Sequence, residues 1–225
     1  GRACWKIGDP DAARAHLDAA LLHYSAAADP IGQGTVHNQL GILAGSSGDA
    51  VRAQAAFEAG HTLHRAAGYR HGMAVSCNGL GAQARAHGQL DDAREWFERG
   101  LKHITACGNR RYAATLEGNL GTIARARGRL EDARRHQERA LRLHRESGNR
   151  ISEGITLTNL STIFVQLGEY NQAIAHMQEA LACARMVGNR RGEGMALSGL
   201  GGVLLERGRL TKAAETLQEA LALQE

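Results

Sequence analysis

Residues 109–148 read NRRYAATLEGNLGTIARARGRLEDARRHQERALRLHRESG, and residues 149–188 read NRISEGITLTNLSTIFVQLGEYNQAIAHMQEALACARMVG. Set one above the other without a gap, they place Leu120 over Leu160, Gly128 over Gly168, Ala133 over Ala173 and Gly148 over Gly188. The register extends in both directions. Leu40, Leu80, Leu120, Leu160 and Leu200 are forty residues apart. Gly41, Gly81, Gly121 and Gly201 follow them, with Ser161 in the fourth place. Gly8, Gly48, Gly88, Gly128, Gly168 and Gly208 form a second glycine series, and Gly68, Gly108, Gly148 and Gly188 a third. Ala13, Ala53, Ala93, Ala133, Ala173 and Ala213 keep the same period. A fixed period of this length is the mark of a repeat architecture, in which each unit completes its core on its neighbours.

Each period divides into two helical halves. Leu116, Leu120 and Ile123 recur at spacings of four and three, and Leu130, Ala133, Ala140, Leu141 and His144 fall on one face at spacings of three, four and seven. That is the spacing of an amphipathic helix. Glycines at 128 and 148 close the halves, because glycine accepts the left-handed conformation that ends a helix. Asn149 and Asp29-Pro30 are starting signals, the first by capping and the second by a cap followed by proline at the first helical position. The set at Gly41 and its equivalents lies inside a helix, where glycine costs about 1 kcal/mol relative to alanine. Close approach of the paired helix is the expected return.

Composition narrows the function. The 225 residues hold 43% hydrophobic and 22% charged side chains, and only 4% aromatic. No apolar run is long enough to cross a membrane. Cys4, Cys77, Cys107 and Cys183 form no metal-binding or redox spacing, so a reduced, cytoplasmic protein is expected. No cofactor motif and no catalytic constellation is present, and a non-enzymatic chain is expected. His61 and His64 lie one helical turn apart without a third ligand, and His16, His136 and His176 share one repeat phase; surface or partly packed histidines are expected, not a metal site. The basic character is local. Residues 108–150 hold eleven arginines against five acids.

The pattern resembles the tetratricopeptide repeat family. Leu-Gly stands in the first helix. In the second, an alanine is followed by a bulky side chain and then a small one, as in Ala53-Phe57-Gly60, Ala93-Phe97-Gly100, Ala173-Met177-Ala180 and Ala213-Leu217-Ala220, with Gln137 as the exception between Ala133 and Ala140. The period of forty, against the usual thirty-four, is similar to that of spindle-orientation adaptors, kinesin light chains and bacterial regulators. The resemblance implies an all-α, right-handed superhelical solenoid of antiparallel helix pairs, about five and a half repeats in one domain over 1–225. The repeats fall at 1–28 (partial), 29–68, 69–108, 109–148, 149–188 and 189–225. Gly1 falls at the phase of Gly41, so the chain reads as part of a longer protein whose exposed solenoid ends could self-associate.

The resemblance also implies a concave groove lined by the first helices, which binds peptides or protein segments. Its stripe includes Asn38, Ile42, Asn78, Arg85, Thr115, Asn119, Thr122, Arg125, Thr158, Asn159 and Thr162, and ends on Met195, Ser198, Gly202 and Leu205. Amides there can donate to and accept from a peptide backbone, and Arg85 and Arg125 favour an acidic partner. The competing reading has Asn119 and Asn159 bonding a neighbouring helix. Small residues at 79, 82, 118, 199 and 202 either leave room for a ligand or pack helices tightly. Arg70, Arg110, Arg150 and Arg190 form a ladder at the starts of successive first helices. They either grip carboxylates or bond a nearby acid such as Glu153 or Glu193. Arg134, Arg135, Arg139 and Arg142 are expected on the convex side. Two alternatives remain: a sensor arm of a larger bacterial regulator or signalling ATPase, and nucleic-acid binding through the Arg-rich fourth repeat. The second is disfavoured by three lysines and few aromatics.

Overall fold

The computed structural model describes residues 10–223, and all of its regular structure there is helical. Gly8, Cys4 and the first part of the partial repeat lie outside the described residues. Eleven described helices follow one another: α1 (Pro10–Ala26), α2 (Pro30–Ser46), α3 (Ala50–Ala66), α4 (Arg70–Ala86), α5 (Leu90–Thr105), α6 (Arg110–Ala126), α7 (Leu130–Glu146), α8 (Arg150–Gln166), α9 (Tyr170–Met186), α10 (Arg190–Glu206) and α11 (Leu210–Ala222). First helices of repeats begin at the four ladder arginines, and second helices carry the alanine series.

The linkers are alike. Gly48, Gly68, Gly88, Gly108, Gly128, Gly148, Gly168, Gly188 and Gly208 all have φ between 64° and 78°. In most of them the residue after the glycine returns a backbone bond to the last helical turn, as Tyr69 N–H does to His64 O at 2.8 Å and Glu169 N–H to Phe164 O at 2.8 Å. This closes the orphan carbonyls of the helix end. Ala28 takes the corresponding place after α1 at φ 49°. Caps then start the next helix. Asp29 accepts from Ile31 N–H and Gly32 N–H, Asp49 from Arg52 N–H, Asn149 from Ser152 N–H and Asn189 from Gly192 N–H.

Packing divides the chain between Asn109 and Arg110 into two compact units, called here unit 1 and unit 2. In each, the two helices of a repeat pack most extensively on each other, and first helices of adjacent repeats also touch: α2 on α4 in unit 1, α8 on α6 and α10 in unit 2. The in-phase glycines let this happen. A Cβ on Gly41 would lie 2.9 Å from the Phe57 ring, one on Gly81 2.6 Å from Phe97, and one on Gly201 2.6 Å from Leu217. At Gly121 the neighbour is Gln137, fully buried, whose Nε2 donates to Gly118 O at 2.9 Å. Where serine replaces glycine, Ser161 Oγ donates to Ala173 O at 2.8 Å. The expected close approach is present at each of these crossings.

Candidate protein-binding face

The first-helix stripe is mostly accessible, with one correction. Asn38 is buried, its Nδ2 donating to Gly72 O at 3.4 Å and its Oδ1 accepting from Ser76 Oγ at 2.8 Å. It joins two repeats of unit 1 and leaves the groove set, because an amide committed to a neighbouring helix cannot serve a ligand. Ile42 is exposed, Asn78 is half-buried and Arg85 is exposed.

In unit 2, Thr115 and Thr162 are exposed, and Asn119, Thr122, Arg125, Thr158 and Asn159 are half-buried. The threonines are not free donors. Thr122 Oγ1 donates to Gly118 O, Thr158 Oγ1 to Gly154 O and Thr162 Oγ1 to Thr158 O, each at 3.1 Å, and Thr115 Oγ1 reaches Arg111 O at 3.5 Å. With the proton turned back to the helix, each hydroxyl presents lone pairs and a methyl group outward. The small positions split. Gly79 and Gly199 are filled by Phe57 and Met177, whereas Gly202 has no side chain near it and Gly118 only Gln137 at 3.9 Å.

The arginine ladder also splits. Arg110 pairs with Glu146 at 3.3 Å and Arg150 with Glu153 at 2.7 Å. Arg70 and Arg190 have no acidic partner among the described residues, and neither do Arg85, Arg125 and Arg191. Glu153 is only 4% exposed in its side chain. Burial pushes its carboxyl up, but hydrogen bonds from Arg145 and Arg150 outweigh that and hold it below the usual carboxylate range. Glu193 is taken by Arg185 at 2.7 Å. The acids of this face are thus neutralised from within and several of its cations are not.

Sequence reading missed the feature between α8, α9 and α10. Ile151 and Ile155 on α8, Val187 after α9 and Met195 on α10 stay exposed around a recess of about 110 Å³, whose floor includes Gly154, Ala180 and Ala184. Arg150, Asn159 and Asn189 stand at its edge. The signal was present: Gly154 and Gly192 fit none of the turn or crossing series.

The other candidates resolve as packing. Arg134 pairs with Glu131 at 2.8 Å, Arg135 with Asp132, and Arg139 lies 3.9 Å from Glu117. His64, expected near the surface, is fully buried. Burial pulls its pKa below the ordinary value, and the nearby Ile31 and Gly72 carbonyls oppose this without accepting a hydrogen bond of normal geometry. His136 Nδ1 is 2.6 Å from Glu117 Oε2, and His176 stacks on Phe164. Burial pushes the Cys77 thiol up to about 12, which makes it inert. Among the described residues no cluster of histidine, cysteine and carboxylate side chains could hold a metal. No described helix is long and apolar enough to cross a membrane.

Known proteins give the same fold. No curated protein matches the sequence. BtubC (BKLC) from P. vanneervenii superposes with a TM-score of 0.81 at 19% identity, covering 93% of this chain and 89% of its own. The apo form of RapI gives 0.78 at 12%, covering 99% and 94%. A signal transduction ATPase with numerous domains and a tetratricopeptide repeat sensor, from Pyrococcus horikoshii, gives 0.74 at 16%, covering 85% of this chain and 30% of that one. Tetratricopeptide repeat models match residues 111–186 and 154–225, and a further one matches residues 1–19. With these matches over more than half its length, and helix pairs that close on in-phase glycines, the chain belongs to the tetratricopeptide repeat family.

Proposed function

We propose that this chain is a non-enzymatic, cytoplasmic protein-interaction module whose first-helix face seats an acidic segment of a partner protein. One observation carries the reading: in unit 2 the exposed apolar side chains Ile151, Ile155 and Met195 share a face with Arg125, Arg190 and Arg191, which lack acidic partners, while Glu153 and Glu193 are already paired. A segment laid there loses apolar surface to the isoleucines and brings carboxylates to the arginines. Arg70 and Arg85 offer the same chemistry on unit 1. Asn159 can bond the segment's backbone, and the threonine hydroxyls can accept from its N–H groups. In a longer protein such a module acts as a sensor arm, in line with the fold likeness to the ATPase sensor. Nucleic-acid binding is less favoured, because four arginines of α7, Arg134, Arg135, Arg139 and Arg145, already have carboxylate partners.

The test is a titration with an acidic peptide and its lysine-substituted counterpart. Arg125→Glu is expected to weaken acidic-peptide binding roughly tenfold, the loss of one charge-assisted contact. Arg85→Glu, made separately, tests unit 1. Affinity should fall as salt rises. Equal affinities for both peptides would sink the reading, and a loss confined to variants of Arg134, Arg135 and Arg139 would move the site to α7.

A further inference from the structure

One position near the ends of the second helices α1, α3, α5, α7 and α9 recurs at the forty-residue period: Tyr24, His64, Ile104, His144 and Ala184. In unit 1, His64 shows what this position does. Its ring lies in a cradle between Gly34 on α2 and Gly72 on α4. A Cβ on Gly34 would come 2.7 Å from Nε2, and one on Gly72 2.5 Å from the ring. Tyr24 uses the same device, its ring 2.2 Å from where a Cβ on Gly32 would stand. Glycine is tolerated in these helix interiors because a ring needs the space.

Unit 2 has the same cradle without the ring. Gly154 and Gly192 stand 120 positions after Gly34 and Gly72, and the residue 120 after His64 is Ala184. A Cβ on Gly154 would meet nothing nearer than Cys183 Cβ at 3.5 Å. On Gly192 it would meet Ala184 Cβ at 3.5 Å and the Asn189 side chain at 2.6 Å, and no ring. The room at Gly154 is used by no side chain of the joint, and at Gly192 only the Asn189 cap enters it; what is left is the recess of about 110 Å³. Its walls are Ile151, Ile155, Val187 and Met195, all exposed.

We infer that the recess receives one aromatic side chain of the acidic partner segment, which supplies in trans the ring that His64 supplies in cis. This rests on the binding face proposed above and names its anchor. An apolar cavity of about 150 Å³ holds benzene; a smaller recess open on one side takes the ring and leaves its Cβ outside. Met195 offers a thioether to the ring edge. Arg190 and Arg191 on the adjoining turn of α10, which lack acidic partners among the described residues, meet the carboxylates beside the aromatic residue.

The experiment uses a fluorescein-labelled peptide of Asp, Ser and Gly with one central Phe, and the same peptide with Ala there. Wild type should bind the Phe peptide roughly tenfold more tightly than the Ala peptide. Ala184→His restores the ring of unit 1 and should abolish the difference, with unchanged circular dichroism and an equal or higher Tm. On wild type, millimolar phenylacetate should shift the Met195 and Ile155 methyl resonances upfield, and that reading does not depend on how the variant folds. Equal binding of the Phe and Ala peptides overturns the anchor while leaving the acidic-segment reading standing. No binding of either peptide, with no methyl shift, ends both. A wild-type dimer that Ala184→His dissociates overturns the partner assignment and makes a second copy the occupant.

Discussion

Unit 1 and unit 2 join their repeats by different chemistry at equivalent positions. In unit 1 the joint is neutral and buried: Asn38 bonds Gly72 and Ser76, the His64 ring sits between two glycines, and Phe57 reaches both Gly41 and Gly79. In unit 2 the joint is ionic and lies at the rim. Arg145 at the end of α7 holds Glu153 of α8 at 3.0 Å and Glu179 of α9 at 2.5 Å. Forty residues on, Arg185 holds Glu193 and Glu219 in the same way. The unit 1 counterparts of Arg145, Glu153 and Glu179 are Arg65, Met73 and Arg99, so no such staple is available there. The repeat fixes where a joint falls, and the residues at the joint decide what disturbs it. Volume and protonation matter in unit 1. Charge and salt matter in unit 2.

The largest expected effect tests the volume side. Phe57→Ala should cost about 3–5 kcal/mol, as for a buried aromatic side chain that leaves a cavity. Amide exchange in α2, α3 and α4 should accelerate more than in α8 to α11; equal acceleration throughout would show that the two units open as one. Next comes the ionic side. Arg145→Ala should cost about 2 kcal/mol, within the range for charged hydrogen bonds. Arg185→Ala should cost less, because Glu153 is 4% exposed and Glu193 is 19% exposed in the side chain. Urea unfolding of both variants at low and high salt measures this, and an equal loss for the two removes burial as the controlling factor.

The smallest effect is on pH. His64 is harder to protonate folded than unfolded. The unfolded chain therefore takes the proton first, and its contribution to stability is full above its ordinary value of 6.5 and declines as pH falls below that. His37, His61, His103, His144 and His176 shift in the same direction. Lowering pH from about 7.5 to about 5 should depress Tm. His64→Leu should reduce the slope, and identical slopes would remove His64 as a contributor. Glu153, held below the usual carboxylate range, loses its contribution only at more acid pH.

The fold was legible because periodicity writes itself into the sequence. Leu120 and Leu160, or Gly128 and Gly168, need no structure to be placed on helix and turn. The site was legible in part. Which residues of a first helix face outward follows from helical spacing, and Arg85, Thr115 and Thr162 are indeed exposed. What a polar side chain does with its hydrogen bonds does not follow. Asn38 and Asn78 occupy the same position in successive repeats, yet Asn38 is buried against Gly72 and Ser76 whereas Asn78 is half-buried. The difference lies in residues thirty-four and thirty-eight positions away from Asn38. The recess was harder still, because it is made by what Ala184 lacks.

The linkers carry a consequence of another kind. Each described glycine linker spans the same few residues and takes the same left-handed turn. An α-helix advances about 100° per residue, so one residue added to a helix would rotate every outward side chain beyond it off its face. Such a chain is read in frame, like a coding sequence. Duplication or excision of a whole forty-residue block preserves the sense of every position downstream, while a single-residue slip scrambles it. The recess between α8, α9 and α10 could therefore be copied, moved or lost by recombination at linkers as a self-contained word, without rewriting the repeats on either side.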